Sequence, residues 1–115
     1  MTDPADRCDV AIVATYDWIS QLIKDFVVPF GWRAVSIPGE DVGRAGARLR
    51  SCRVVLCDLD LPPQRLAAVR RAGIPIIYFS GSRRGSEIDL PEDGAGYFDL
   101  PPDRAELDRL IRSLI

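Results

Sequence analysis

The run Val54-Val55-Leu56-Cys57-Asp58-Leu59-Asp60-Leu61-Pro62 constrains the fold of this chain more than any other stretch. A short apolar run that ends abruptly in carboxylates is what a parallel strand buried on both faces looks like when it delivers an acid to the carboxyl edge of an open α/β sheet, where ligand sites form. Two later runs repeat the pattern with other endings: Ile74-Pro75-Ile76-Ile77-Tyr78-Phe79-Ser80 and Gly96-Tyr97-Phe98-Asp99-Leu100-Pro101. A carboxylate, a hydroxyl and a Leu-Pro step are therefore expected to converge at one edge.

The apolar period switches repeatedly between continuous short runs and helical spacing, which is the alternation of βαβ units. Val10 to Ala14 reads as a first strand. Ile19, Leu22, Ile23, Phe26 and Val27 then recur at helical spacing, with Thr15 or Asp17 as the expected cap and Pro29 and Gly31 as the stop. Trp32 to Ile37 predicts a second strand, followed by a small helix with Val42, Ala45, Gly46 and Leu49 on one face and Arg44, Arg48 and Arg50 toward water. Pro62-Pro63 opens a helix bearing Leu66, Ala67 and Val69, which Gly73 closes before the fourth strand. Asp103-x-x-Glu106 resembles a capping box for a last helix with Leu107, Leu110, Ile111 and Leu114 on its apolar face. Residues 81–94 are too rich in Gly, Ser and Pro for a regular helix and are expected to form a loop or one ragged turn. The fold expected is a flavodoxin-like, doubly wound α/β domain. It has five parallel strands and helices on both faces, with the helix between the fourth and fifth strands short or missing.

At 115 residues, 47% apolar and 28% charged, the chain fits one globular domain over 1–115, able to bury roughly two-thirds of its unfolded surface. A net charge of −2 offers no basic excess to a phosphate backbone, so direct nucleic-acid binding is not expected. No apolar stretch approaches the roughly 20 residues that span a bilayer, and the amino terminus does not read as a signal, so a cytoplasmic protein is expected. Cys8, Cys52 and Cys57 have no metal-binding spacing and read as reduced thiols. The chain has no histidine, which removes imidazole from any acid–base or metal chemistry.

The order of elements and the strand endings resemble the CheY-like receiver domain of two-component response regulators, a bacterial signalling module, over essentially the whole chain. The resemblance puts Asp58 at the phospho-accepting position, Ser80 at the switch hydroxyl and Tyr97 at the switch aromatic. The 44-residue interval from Ala14 to Asp58 fits it, and the resemblance implies the strand order 2-1-3-4-5. It also marks departures. Where receivers close the first strand with acids that help hold Mg²⁺, this chain has Ala14 and Thr15, and where they carry a lysine it has Leu100. Asp58, with Asp60 beside it, is then the weak remnant of a metal site, and no bound cofactor is expected beyond weakly held Mg²⁺. An acyl phosphate, with roughly two negative charges, would lack its balancing cation.

Asp60 or Asp17 is a candidate for a substitute metal carboxylate, or else is a solvated acid or helix cap. Arg83 and Arg84 are candidates to replace the lost lysine, or else are solvated. Trp18, Phe30 and Trp32 form either a cap over the end of the sheet or an exposed contact patch, with core packing the expected outcome. A chain ending at Ile115 is expected to carry no effector domain, whether as a stand-alone module or as part of a longer regulator.

What the resemblance implies is a non-enzymatic, atypical receiver, a pseudo-receiver, acting through protein–protein contact with Asp58 phosphorylation impaired or absent. Its expected partners are a histidine kinase, a sensor or an effector domain, with a homodimer through the last strand and last helix as a further arrangement. The alternative is a working phosphorelay receiver accepting phosphate on Asp58. A nucleotide- or flavin-binding domain is the reading from another class, but the chain lacks G-x-x-x-x-G-K-[ST] and any glycine-rich turn after its first strand.

Overall fold

The computed structural model describes residues 8–82 and 91–115. Five parallel strands, β1 (Val10–Ala14), β2 (Ala34–Pro38), β3 (Val54–Asp58), β4 (Ile76–Phe79) and β5 (Gly94–Tyr97), form one sheet in the order β2-β1-β3-β4-β5. Of the loop or turn expected over 81–94, residues 83–90 lie outside the described residues, and with them the short or missing helix, while Gly94 already begins β5 rather than ending the loop.

Strand alternation builds two cores from one sheet. Val10, Ile12, Ala14, Val54, Leu56, Ile77 and Phe79 face α1 (Asp17–Val27) and the last helix, α4 (Arg104–Arg112). Ala11, Val13, Val55, Cys57, Ile76 and Tyr78 face α2 (Gly46–Arg50) and α3 (Pro63–Arg70). β1 and β3 are buried along their whole length, so they need apolar residues at every position rather than at every second one.

Helix ends follow local chemistry. The Asp103 side chain accepts from the Glu106 amide at 3.0 Å, so the N-terminal half of the expected capping box forms. The expected cap of α1 does not. Its N-cap is Tyr16, without a side-chain cap bond, while Asp17 is the first helical residue and the Thr15 hydroxyl points elsewhere. A 3₁₀ turn at Val28–Phe30 takes up Pro29, and Gly31 leaves it at φ +91°. Another, at Gly39–Arg44, leads into α2, so the small helix expected there is split. Its buried anchors are Val42 and Leu49.

Gly73 closes α3 at φ +73°, and an added Cβ there would meet nothing within 4 Å. Gly73→Ala should therefore cost only left-handed backbone strain, about 1 kcal/mol in urea unfolding. A variant as stable as the parent would mean that the turn relaxes freely.

The aromatic residues divide differently from the expectation of core packing. Trp18 is 66% exposed and Phe30 39% exposed. Trp32 lies just before β2, which starts at Ala34 rather than at Trp32, and is half-buried. Its indole N–H donates to Asp108 at 2.9 Å, and the Arg112 guanidinium, bonded to the same carboxylate, lies 5.5 Å from its ring centre. Arg112 beside Asp108 holds that carboxyl below the usual range. Trp32 thus fastens α4 to the β2 side of the fold, whereas Trp18 stays at the surface because the α1 stripe buries Ile19, Ile23 and Val27 instead.

Candidate functional site

The carboxyl edge brings Asp58, Thr15, Asp60 and Ser80 together from three different connections. Asp58 ends β3 and is 1% exposed. One carboxylate oxygen, Oδ2, accepts both the Thr15 amide at 3.1 Å and the Thr15 hydroxyl at 2.9 Å. The other, Oδ1, accepts the Asp60 amide at 2.9 Å. Parallel pairing of β1 with β3 makes this possible: Val13 stands opposite Cys57, so the residues following each strand meet.

Asp60 turns its side chain toward the β4 side. It accepts the Ser80 hydroxyl at 3.0 and 3.1 Å, the Ser82 hydroxyl at 2.9 Å and the Ser82 amide at 3.2 Å. Ser80 is buried and also accepts the Ser82 amide at 3.3 Å, so it closes its own turn and anchors Asp60 at once. Ser82 escaped the sequence reading; the Ser-x-Ser spacing at the end of β4 was the available signal. Asp60 is therefore neither a freely solvated acid nor a helix cap.

A cleft of about 490 Å³ opens over this network, lined by Thr15, Tyr16, Trp18, Asp58, Asp60 and Ser82 among others. Asp17 is not among its walls. It lines a separate hollow of about 240 Å³ with Glu40 and Arg65, on the β2 side of Thr15 beside Pro38 and Gly39. Leu100 packs against the core cluster that holds Phe98, Leu107 and Ile111, and Tyr97 packs half-buried on the opposite face, beside the cluster containing Tyr78. Neither lines the cleft. None of the described residues lining it is basic. Arg83 and Arg84 lie outside the described residues.

Mg²⁺ needs near-octahedral oxygen ligands and usually one or two carboxylates aimed at it. Here Ala14 brings no donor, the Thr15 hydroxyl is spent on Asp58, and Ser80 and Ser82 hold Asp60. Among the described residues no group of three or more Asp, Glu, Cys or His side chains stands together as a metal site would require. The residues present do not fit a receiver-type Mg²⁺ site.

Away from the edge, Arg70 of α3 pairs with Asp93 at 2.9 Å, and the Tyr78 hydroxyl donates to Asp93 at 3.1 Å. Burial pushes the Tyr78 phenol up. This cluster ties α3 to the turn before β5 and leaves Tyr97 packed on an already braced surface.

No family model and no curated protein matches the sequence. Solved structures do. The chain is similar to the signal receiver domain of a modulated diguanylate cyclase from Desulfovibrio desulfuricans, with a TM-score of 0.73 at 20% identity, covering 95% of this chain and 94% of that one. A CheY-like response regulator receiver domain from Methylobacillus flagellatus matches with a TM-score of 0.72 at 23% identity, over 95% and 99% of the two chains. One from Clostridium thermocellum gives a TM-score of 0.75 at 17% identity, over 94% of each. The fold is that of CheY-like receiver domains, and the order of the five strands is theirs. No helix among the described residues is long and apolar enough to cross a membrane.

Proposed function

We propose that residues 1–115 form a single receiver-like signalling domain that works by protein–protein contact, with phosphoryl chemistry at Asp58 impaired or lost. The observation that carries this reading is the double hydrogen bond from Thr15 to one oxygen of Asp58. Thr15 stands where the receiver resemblance expects an acid, and it occupies the acceptor oxygen instead of helping to place a cation beside it. Leu100, at the lysine position, adds no charge to balance a phosphoryl group. Fold-level likeness alone does not assign this role.

The domain acts without enzymatic activity of its own, in a bacterial cytoplasm. Its partner is a histidine kinase, a sensor or an effector domain, docked on the surface of β5 and α4. β5 is an edge strand, and Ala105 and Arg109 of α4 face outward, which suits that surface to a partner or to a second copy. Incubation with a small phosphodonor or beryllofluoride plus Mg²⁺, followed by intact-mass measurement or NMR, should leave the protein unmodified. Robust modification that disappears in Asp58→Asn would sink the reading.

A working phosphorelay is the second reading, favoured by the retention of Asp58 at the strand end below an open cleft. Trp18 lines that cleft and reports on it. Millimolar Mg²⁺ that quenched tryptophan fluorescence in the parent but not in Asp58→Asn would support the relay.

A further inference from the structure

The spacing of Cys8 and Cys52 in the sequence gives no reason to pair them, yet the sheet does. β1 and β3 run parallel with Val10 opposite Val54, and each cysteine stands two residues before that pair. The Asp9 carbonyl accepts the amides of Arg53 at 3.1 Å and Val54 at 3.2 Å, which holds the two approaches together. Neighbouring strands lie about 4.8 Å apart, and that spacing carried back two residues before β1 and β3 falls within the Cα separations of about 4.4–6.8 Å that a disulfide spans. Cys8 packs against the same core cluster that buries Cys52, which puts the two side chains on one face of the sheet.

The pair is also asymmetric. Cys8 is half-buried at the amino-terminal edge of the sheet, within reach of a small solute, whereas Cys52 is buried. The neighbouring Cys52 thiol, with the backbone of Val10 and Val35, holds Cys8 below the ordinary thiol range, while Cys52 is pushed up. Cys57 stands apart in the middle of the sheet, its thiol pushed up to about 12 by burial and by the Asp58 charge. A thiolate is the species that oxidants attack, so Cys8 reacts first and Cys52 is placed to resolve it.

We propose that Cys8 and Cys52 are a peroxide-responsive pair that closes to an intrachain disulfide. The Cys8 thiolate attacks one oxygen of hydrogen peroxide. The O–O bond breaks, the leaving hydroxide takes up a proton as water, and Cys8 becomes a sulfenic acid. The Cys52 thiol attacks that sulfur, the S–S bond forms and a second water leaves. Two thiols lose two electrons in all, and one peroxide becomes two waters. The bridge encloses β1, α1, β2 and α2 in one loop and lies at the edge of the sheet opposite Asp58, so it does not depend on the role assigned to that residue.

The test treats the full chain with hydrogen peroxide, quenches it with an alkylating reagent and measures intact mass under denaturing conditions. Of the three thiols in the sequence, the parent should lose two to a reversible bridge within one chain, and so should Cys57→Ser. Cys52→Ser should stop at a sulfenic acid on Cys8, trapped by a dimedone probe, and Cys8→Ser should react at least about tenfold more slowly. Oxidised parent should melt about 5–10 °C higher than reduced parent. Three alkylatable thiols after peroxide, a bridge through Cys57, or linkage only between chains would each overturn the proposal.

Discussion

A Thr15→Asp/Leu100→Lys double variant should take up phosphate on Asp58 from a small phosphodonor and Mg²⁺ at least about tenfold faster than the parent, a barrier reduction of about 1.4 kcal/mol or more. The first substitution removes the hydroxyl that donates to Asp58 at 2.9 Å and puts a carboxylate in its place, so the edge carries two acids for a divalent cation. The second supplies an ammonium to balance the phosphoryl charge. Leu100 is only partly buried, and a lysine stem can cover the same apolar surface while its head reaches water. Before metal is added, the adjacent carboxylates should repel each other, so the double variant should be less stable than the parent and regain stability with Mg²⁺. Intact mass reads the phosphorylation, and adding Asp58→Asn to the double variant should abolish it. A folded, Mg²⁺-binding double variant that stayed as unreactive as the parent would show that the block lies outside Thr15 and Leu100.

Phe79→Ala should remove about 3–5 kcal/mol of stability, a large part of the about 5–15 kcal/mol typical of a domain. Phe79 is fully buried at the end of β4, its ring 5.3 Å from that of Phe98 and tilted by 32°, in the core shared by α1 and α4. Truncation leaves a cavity between two strands and two helices that cannot collapse without moving the sheet. The Phe79 carbonyl also accepts the Leu59 amide at 2.8 Å, so loosening this strand end disturbs the turn that carries Asp60. Urea unfolding should show a lower midpoint with an unchanged slope. A loss below about 1.5 kcal/mol would mean that the core repacks around the missing ring.

The sheet was legible because strands buried on both faces must be apolar at consecutive positions, and Val10–Ala14 and Val54–Cys57 leave no other periodicity open. Asp103 and Gly73 were legible because a cap and a left-handed turn are decided by one or two residues. The α1 cap was misread, since Thr15 satisfies the local rule for a cap but lies one residue before the actual N-cap, Tyr16, and donates its hydroxyl to Asp58 across the sheet. Trp18 and Trp32 look alike in sequence, and only the rotation of α1 and the approach of Asp108 separate them.

Taken alone, the sequence determined the alternation of strands and helices, the edge to which Asp58 is delivered and the absence of acids at Ala14 and Thr15 and of a cation at Leu100. Each of these follows from residue identity and spacing along the chain. Tertiary structure alone decided that Thr15 occupies Asp58, that Ser80 and Ser82 claim Asp60, and that Cys8 packs against the cluster holding Cys52. These contacts join residues about 20 to 44 positions apart or depend on a turn's geometry. They form only when parallel strands bring distant ends into register, and one chain carries no local signal of which neighbour a hydroxyl or a thiol will meet.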